Sequence, residues 1–236
     1  MSQSAFNTSN RLLRGLSPED FALLAPHLTF ATLELRHPVE SPNLPIEHCY
    51  FVESGIVSVV AKSTRERSAE VGLVGREGMT GLAVIMGDDR SPNDTYVQIA
   101  ATAHHLPADR LREAMATSPT LQKRLLHYAQ AFLIQTVQTA LANGTAKIEE
   151  RLSRWILMSH DRIGQNDLPL THEFLAIMLA VRRPGVTDAL HQLEGRGLIR
   201  STRGLINVVD RAGLIKVADG SYGVPEAEYQ RLLGSN

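Results

Sequence analysis

Cysteine is almost missing from this chain of 236 residues: there is one, Cys49. A single cysteine excludes an intrachain disulfide framework, a four-cysteine iron–sulfur cluster and any CxxC metal site within one chain. Cys49 precedes the apolar run Tyr50-Phe51-Val52, so it reads as a buried structural thiol. A redox sensor would need an exposed, electropositive setting. Long hydrophobic runs are also lacking, and nothing approaches the roughly 18–20 residues of a membrane span. The opening residues MSQSAFNTSN show neither the basic segment nor the hydrophobic stretch of a secretory signal. The expectation is a cytoplasmic protein with no membrane partner. Nucleophile-elbow, P-loop and HExxH patterns are absent as well, so no enzymatic activity is expected.

An overall basic excess is missing too, since the net charge is −1. The distribution of charge is more informative. Residues 182–216 carry Arg182, Arg183, Arg196, Arg200, Arg203, Arg211 and Lys216 against Asp188, Glu194 and Asp210, a local +4 that leaves −5 for the rest. A basic surface on a mildly acidic protein suits a DNA-contacting module attached to something else.

With 43% hydrophobic residues the chain can bury the cores of two domains. Residues 11–30 look helical, with Ser17-Pro18-Glu19-Asp20 as a helix start. From about Thr29 to Leu106 short apolar alternations follow, broken by turn residues. Cys49–Val60 reads as a strand pair across Glu53-Ser54-Gly55, Lys62–Ser68 as a hairpin tip, and Val71–Val74, Met79–Met86 and Tyr96–Ala101 as further strands. This spacing predicts an antiparallel barrel or jelly roll. A short helix is expected over Arg110–Ala116.

Pro119 opens the longest helical pattern, running to about Leu141. Its apolar positions, among them Leu121, Leu125, Leu126, Phe132, Leu133, Val137 and Leu141, are numerous enough to face both the barrel and a second copy of the helix. Asn143-Gly144-Thr145 is expected to interrupt it, with Asn143 and Gly144 as the hinge. A second helix, Ala146–Arg162, follows. The expected division is a sensor domain over 1–118, a dimerisation helix over 119–142 and a DNA-binding domain over 143–236.

In that last domain Thr171 is placed to cap one short helix, the chain turns at Ala180-Val181-Arg182, and Pro184 sits in the first turn of another. On the second helix Val186, Leu190 and Leu193 share one face; Arg183, Thr187 and His191 share another, beside Asp188. Residues 198–209 read as a two-stranded hairpin with basic residues at its tip. Helix pair, basic polar face and hairpin in this order make a winged helix-turn-helix.

This organisation resembles the Crp/Fnr family of bacterial transcription regulators. YFVESGIVSV at 50–59 is similar to the family's strand–Gly–strand, IEERLSRWIL at 148–157 to its post-hinge helix, and LHQLEGRGLI at 190–199 to the end of its recognition helix and start of its wing. The resemblance covers about residues 12–222. It implies an α+β fold: an N-terminal antiparallel jelly roll of the cyclic-nucleotide-binding kind, a long dimerisation helix and a C-terminal winged helix-turn-helix. It also implies a homodimer acting on a two-fold-symmetric operator, with double-stranded DNA, a second copy and RNA polymerase as partners. The expected DNA contacts are Arg182, Arg183, Thr187, Asp188, His191, Arg196, Arg200 and Arg203. Asp188 stands where family members often carry arginine; it would accept from cytosine N4 or orient Arg183.

The effector half departs from the family pattern. Cyclic-AMP-binding members resemble one another in a Gly-Glu-Leu turn and an Arg-Ser pair. Aligned on Gly81, this chain puts Leu82 at the glutamate and Asn93-Asp94-Thr95 at the pair, with Arg90-Ser91 three residues upstream. A cyclic phosphate there would lose its charge-assisted partners and meet a carboxylate. The expected effector pocket is Gly81, Leu82, Val84, Arg90, Ser91, Asn93 and Thr95, for an unknown small molecule and not for cyclic AMP in the usual way. For haem, His104, His105 and His127 are the obvious ligands, but adjacent histidines on a strand point to opposite faces. No metal or other cofactor is expected. One alternative stays open: a small-molecule-binding module whose winged domain makes protein contacts.

Overall fold

Two long strands that bend without breaking organise the N-terminal half. The computed structural model describes residues 7–63 and 68–234. Helices α1 (Arg11–Arg14) and α2 (Pro18–Leu24), with a 3-10 turn at Ala25–His27, lead into strands β1 (Thr29–Leu33), β2 (Pro38–Glu40), β3 (His48–Lys62) and β4 (Ser68–Val74). Asn10 caps α1 by accepting from Leu12 N and Leu13 N, and its side-chain amide donates to Val52 O and Gly78 O, both at 2.8 Å. The short helix α3 (Leu82–Ile85), strand β5 (Asp94–Pro107) and helix α4 (Ala108–Thr117) complete this half.

The strands form one antiparallel sheet, ordered β1-β5-β3-β4, with β2 also on β5. Jelly-roll closure is not seen in the strand pairings of the described residues. The expected strand pair over Cys49–Val60 is a single strand. Both of its halves pair with β5, and the excess residues are absorbed as register shifts between Val52 and Val57. Gly55 sits there at φ 79°, where a Cβ would lie 2.4 Å from Ala100 O. The strand expected over Met79–Met86 is also corrected. Gly81 turns the chain at φ 86°, and the neighbours Val84 and Ile85 are both buried on α3, which strand alternation does not permit. Residues 64–67 of the expected hairpin tip lie outside the described residues; Lys62 and Ser68 pair at its base.

Helix α5 (Pro119–Thr145) starts on a Ser118 cap and runs for 27 residues. It therefore passes through Asn143 and Gly144, which corrects the expected interruption there. Glycine weakens a helix interior by only about 1 kcal/mol. The break comes at Ala146, with extended ψ of 150°, because the next helix α6 (Ile148–Ile163) supplies its own start: the Glu150 carboxylate accepts from Lys147 N at 2.9 Å.

The C-terminal half continues with β6 (Asp167–Leu168), α7 (His172–Met178), α8 (Arg183–Gly195), β7 (Ile199–Thr202), β8 (Leu205–Val208), α9 (Arg211–Val217) and α10 (Val224–Leu233). Its small sheet is ordered β6-β8-β7. Helix α10 returns along α5, where Tyr229 donates to Glu77 O at 2.6 Å.

The two halves share a core. Ile56, Leu73 and Ile99 of the large sheet cluster with Leu152, Trp155, Phe174 and Met178. Polar groups cross the same boundary. Glu70 on β4 accepts from Ser58 Oγ at 2.7 Å and from Trp155 Nε1 at 2.8 Å. Burial pushes the Glu70 carboxyl up to about 8, against the lowering effect of the Ser58 hydrogen bond and of Arg162 and Arg154.

Candidate nucleic-acid interface

The helix pair is fixed at both ends by local chemistry. Thr171 Oγ1 accepts from Phe174 N at 3.3 Å, the N-cap expected from sequence. Helix α7 stops at Leu179, and Ala180 reverses the chain in a left-handed conformation, φ 49°. Arg182 is extended and precedes α8, whose first turn holds Pro184. Val186, Ala189, Leu190 and Leu193 anchor α8 to the core. Arg183, Asp188 and His191 remain exposed on its other side, with Thr187 half-buried beside His172.

Thr202 pairs with Leu205, so Arg203 and Gly204 form the two-residue tip of the β7–β8 hairpin. Gly204 takes φ 77° there. Arg203 is exposed at the tip, Arg200 on β7, and Arg182 and Arg196 at the two ends of α8. All eight expected contact residues thus lie on α8, its ends and the wing.

One expected partnership is corrected. Arg183 is oriented not by Asp188 but by Glu173, whose carboxylate it meets at 3.2 Å. The other Glu173 oxygen takes Arg36 at 3.1 Å, and Arg36 lies 5.7 Å over the Phe174 ring. A residue from the turn between β1 and β2 therefore reaches the first turn of the helix pair. The sequence marked Glu173 only as an acidic first-turn residue; for Arg36, 137 positions away, it carried no signal.

The N-terminal half holds a cavity of about 740 Å³ between the sheet, α3 and α5. Of the residues expected at an effector pocket, Gly81, Leu82, Arg90, Ser91 and Asn93 line this cavity. Val84 is instead buried in the core, and Thr95 is buried with its hydroxyl turned to Glu40. Glu40 was missed from sequence. Its carboxylate takes Gly81 N at 2.6 Å and Thr95 Oγ1 at 3.1 Å, and burial raises its pKa despite both bonds. Arg90 is turned to Asp89, Nε to Oδ1 at 2.7 Å, and Asp94 pairs with Lys62. Gly81 has no room for a side chain, since a Cβ would lie 2.4 Å from Cys49 Sγ. Burial pushes the Cys49 thiol up to about 12, the setting of an inert thiol. His104 faces Glu53 at 2.9 Å and His127 faces Leu232 O at 3.3 Å, on different elements.

Residues 150–217 match the family model of the Crp-like helix-turn-helix domain. The chain is 25% identical over 181 residues to the transcriptional regulator SdrP of Thermus thermophilus, covering 74% of this chain and 86% of that protein. The chain thus carries a Crp-like helix-turn-helix domain and is similar over most of its length to a transcriptional regulator. Its fold is similar to that of solved Crp/Fnr regulators. A regulator of the Crp/Fnr family from Eubacterium rectale superposes with TM-score 0.69 at 18% identity, covering 89% of this chain and 98% of that one. FixK2 from Bradyrhizobium japonicum gives 0.70 at 17%, covering 80% and 96%. The segment matched by the Crp-like helix-turn-helix model contains the whole α7–α8 pair and the wing, with all eight expected contact residues.

Proposed function

We propose that this regulator binds a two-fold-symmetric DNA operator as a homodimer, reading bases with α8 and holding phosphates with the wing. The observation that carries this reading is the solvent-facing set Arg183, Asp188 and His191 on a helix-turn-helix flanked by exposed Arg182, Arg196, Arg200 and Arg203. Arginine forks suit guanine edges and phosphates, whereas Asp188 suits a cytosine amino group. Self-association is supported by α5. Leu121, Leu125 and Phe132 face the sheet, while Leu126, Leu133, Val137 and Leu141 are 43–56% exposed. Four large apolar groups at spacings of seven, four and four form a stripe that a second copy would cover. Paired heads would then meet half-sites roughly 34 Å apart.

The expected sensor domain, 1–118, is not a conventional cyclic-nucleotide receptor. A phosphate at Gly81 would have to displace Glu40 from the very donors it needs, and the only arginine lining the cavity among the described residues is engaged by Asp89. No helix of the described residues is long and apolar enough to cross a membrane. A DNA-binding regulator of this kind works in the cytoplasm, with RNA polymerase as the downstream partner and without catalysis of its own.

The test is selection from random duplexes followed by titration of wild type and the Arg183→Ala/Arg203→Ala double variant. A two-fold-symmetric motif, affinity that falls steeply with salt, and loss of binding in the variant are expected. A variant that binds as wild type does would favour a winged domain used for protein contacts.

A further inference from the structure

A second cleft, of about 490 Å³, lies away from the helix-turn-helix face and meets the cavity beneath α3 only at Phe132. Its walls come from α1, the turn after β4, α5, the end of α6, the start of α9 and α10. Its volume falls in the range of small-molecule sites.

The charges lining it do not balance. Glu77 is taken by Arg162 at 2.8 Å. Asp161 is taken by Arg211 at 2.8 Å and by the Tyr222 hydroxyl at 2.6 Å. Glu226 is spent on the start of α10, accepting from Gly223 N at 3.0 Å. Two guanidinium groups remain without a carboxylate among the described residues, Arg11 and Arg76. They sit on adjoining segments, since Arg11 N donates to Arg76 O at 2.7 Å. Arg76 spends one amino group on Asp161 O at 3.0 Å, but its Nε is buried with no partner. A buried guanidinium donor with no acceptor, as at Arg76 Nε, is costly unless a ligand oxygen completes it. The rest of the wall includes four aromatic rings, Tyr128, Phe132, Tyr222 and Tyr229, among aliphatic and amide groups. Burial raises the pKa of Tyr128, Tyr222 and Tyr229, so all three stay neutral and add no competing negative charge.

We propose that this cleft binds a small organic oxyanion, its phosphate or carboxylate held by Arg11 and Arg76 and its ring against the tyrosine wall. The inference goes beyond the DNA-binding reading and does not depend on it. A ligand there touches both the turn after β4 in the sensor half and α6, α9 and α10 beyond the junction, so it bridges the two halves of the molecule.

The test is calorimetric titration of the full-length chain, without DNA, using phenyl phosphate, benzoate, benzyl alcohol and benzylamine. The two oxyanions should bind at least tenfold tighter than benzyl alcohol, and benzylamine weakest of all; the tighter oxyanion identifies phosphate or carboxylate as the preferred head. Arg11→Ala changes an exposed residue, and Arg76→Gln keeps a donor without the charge. Each should weaken oxyanion binding at least fivefold and leave benzyl alcohol unchanged. Arg110→Ala, on an exposed arginine of α4, should change nothing. Equal affinity for benzyl alcohol and the oxyanions, full affinity in both variants, or no binding by any of the four would overturn the proposal.

Discussion

Replacing Glu70 with glutamine should remove a pH dependence of stability that wild type displays across neutrality. Glu70 lies between the two halves, accepting from Ser58 and Trp155, with its carboxyl pushed up to about 8 by burial. A carboxyl in the unfolded chain titrates near its ordinary value of 4.5. Between those two values the folded state holds a proton that the unfolded state has released. The folded state therefore loses stability as pH rises: the contribution is complete below the unfolded value and gone above the folded one. Integrated between pH 6 and pH 8, the difference is about 2 kcal/mol, an order-of-magnitude figure. For a chain of this size that corresponds to a melting temperature lower by roughly 5 °C. A glutamine side chain at this position would preserve the acceptor for Trp155 and cannot ionise. Thermal unfolding of both proteins at a series of pH values isolates the effect, because every other titrating group is common to the two. Wild type should lose about 2 kcal/mol more than Glu70→Gln over that interval. Parallel curves would refute the assignment of a protonated carboxyl to this junction.

Other perturbations address the remaining features. Leu133→Asp with Val137→Asp places charges on the exposed stripe of α5, away from the core, so a folded monomer is expected by sedimentation velocity and operator affinity should fall at least tenfold. Gly81→Ala adds a Cβ where φ is 86° and Cys49 Sγ would be 2.4 Å away; a loss of more than about 2 kcal/mol in denaturant unfolding is expected from backbone strain and overpacking combined. Arg36→Ala removes an exposed ion pair, so global stability should change by less than about 1 kcal/mol. The same change should speed amide exchange in α7, which loses its tie to the β1–β2 turn; unaltered exchange would rule out that tie as a restraint.

What the sequence made legible follows the range of the forces involved. The winged helix-turn-helix could be read because each of its signals is local: the Thr171 cap, Pro184 in a first turn, the repeat of Val186, Leu190 and Leu193, and a basic hairpin tip. The dual character of α5 was readable for the same reason, from the number of apolar positions per turn. Local signals misled where pairing was long-range. Gly55 looks like a hairpin turn, yet β5 runs past both sides of it, so the glycine becomes the bend of one strand. Met79–Met86 has the composition of a strand, and one left-handed glycine made it a helix. Glu40 could not have been placed in the effector cavity from its neighbours, being 41 positions from the amide it accepts from. Arg36 was out of reach in the same way.

The core shared by the sheet and the helix-turn-helix bears on how the DNA-binding half can be handled by itself. Cutting the chain at Ala146 would uncover the faces of Trp155, Phe174 and Met178 that now meet Ile56, Leu73 and Ile99. The excised fragment would carry a greasy scar beside an unpaired indole N–H, which invites clumping in solution. Polar replacements that heal this scar would be the first step toward a portable DNA-reading reagent.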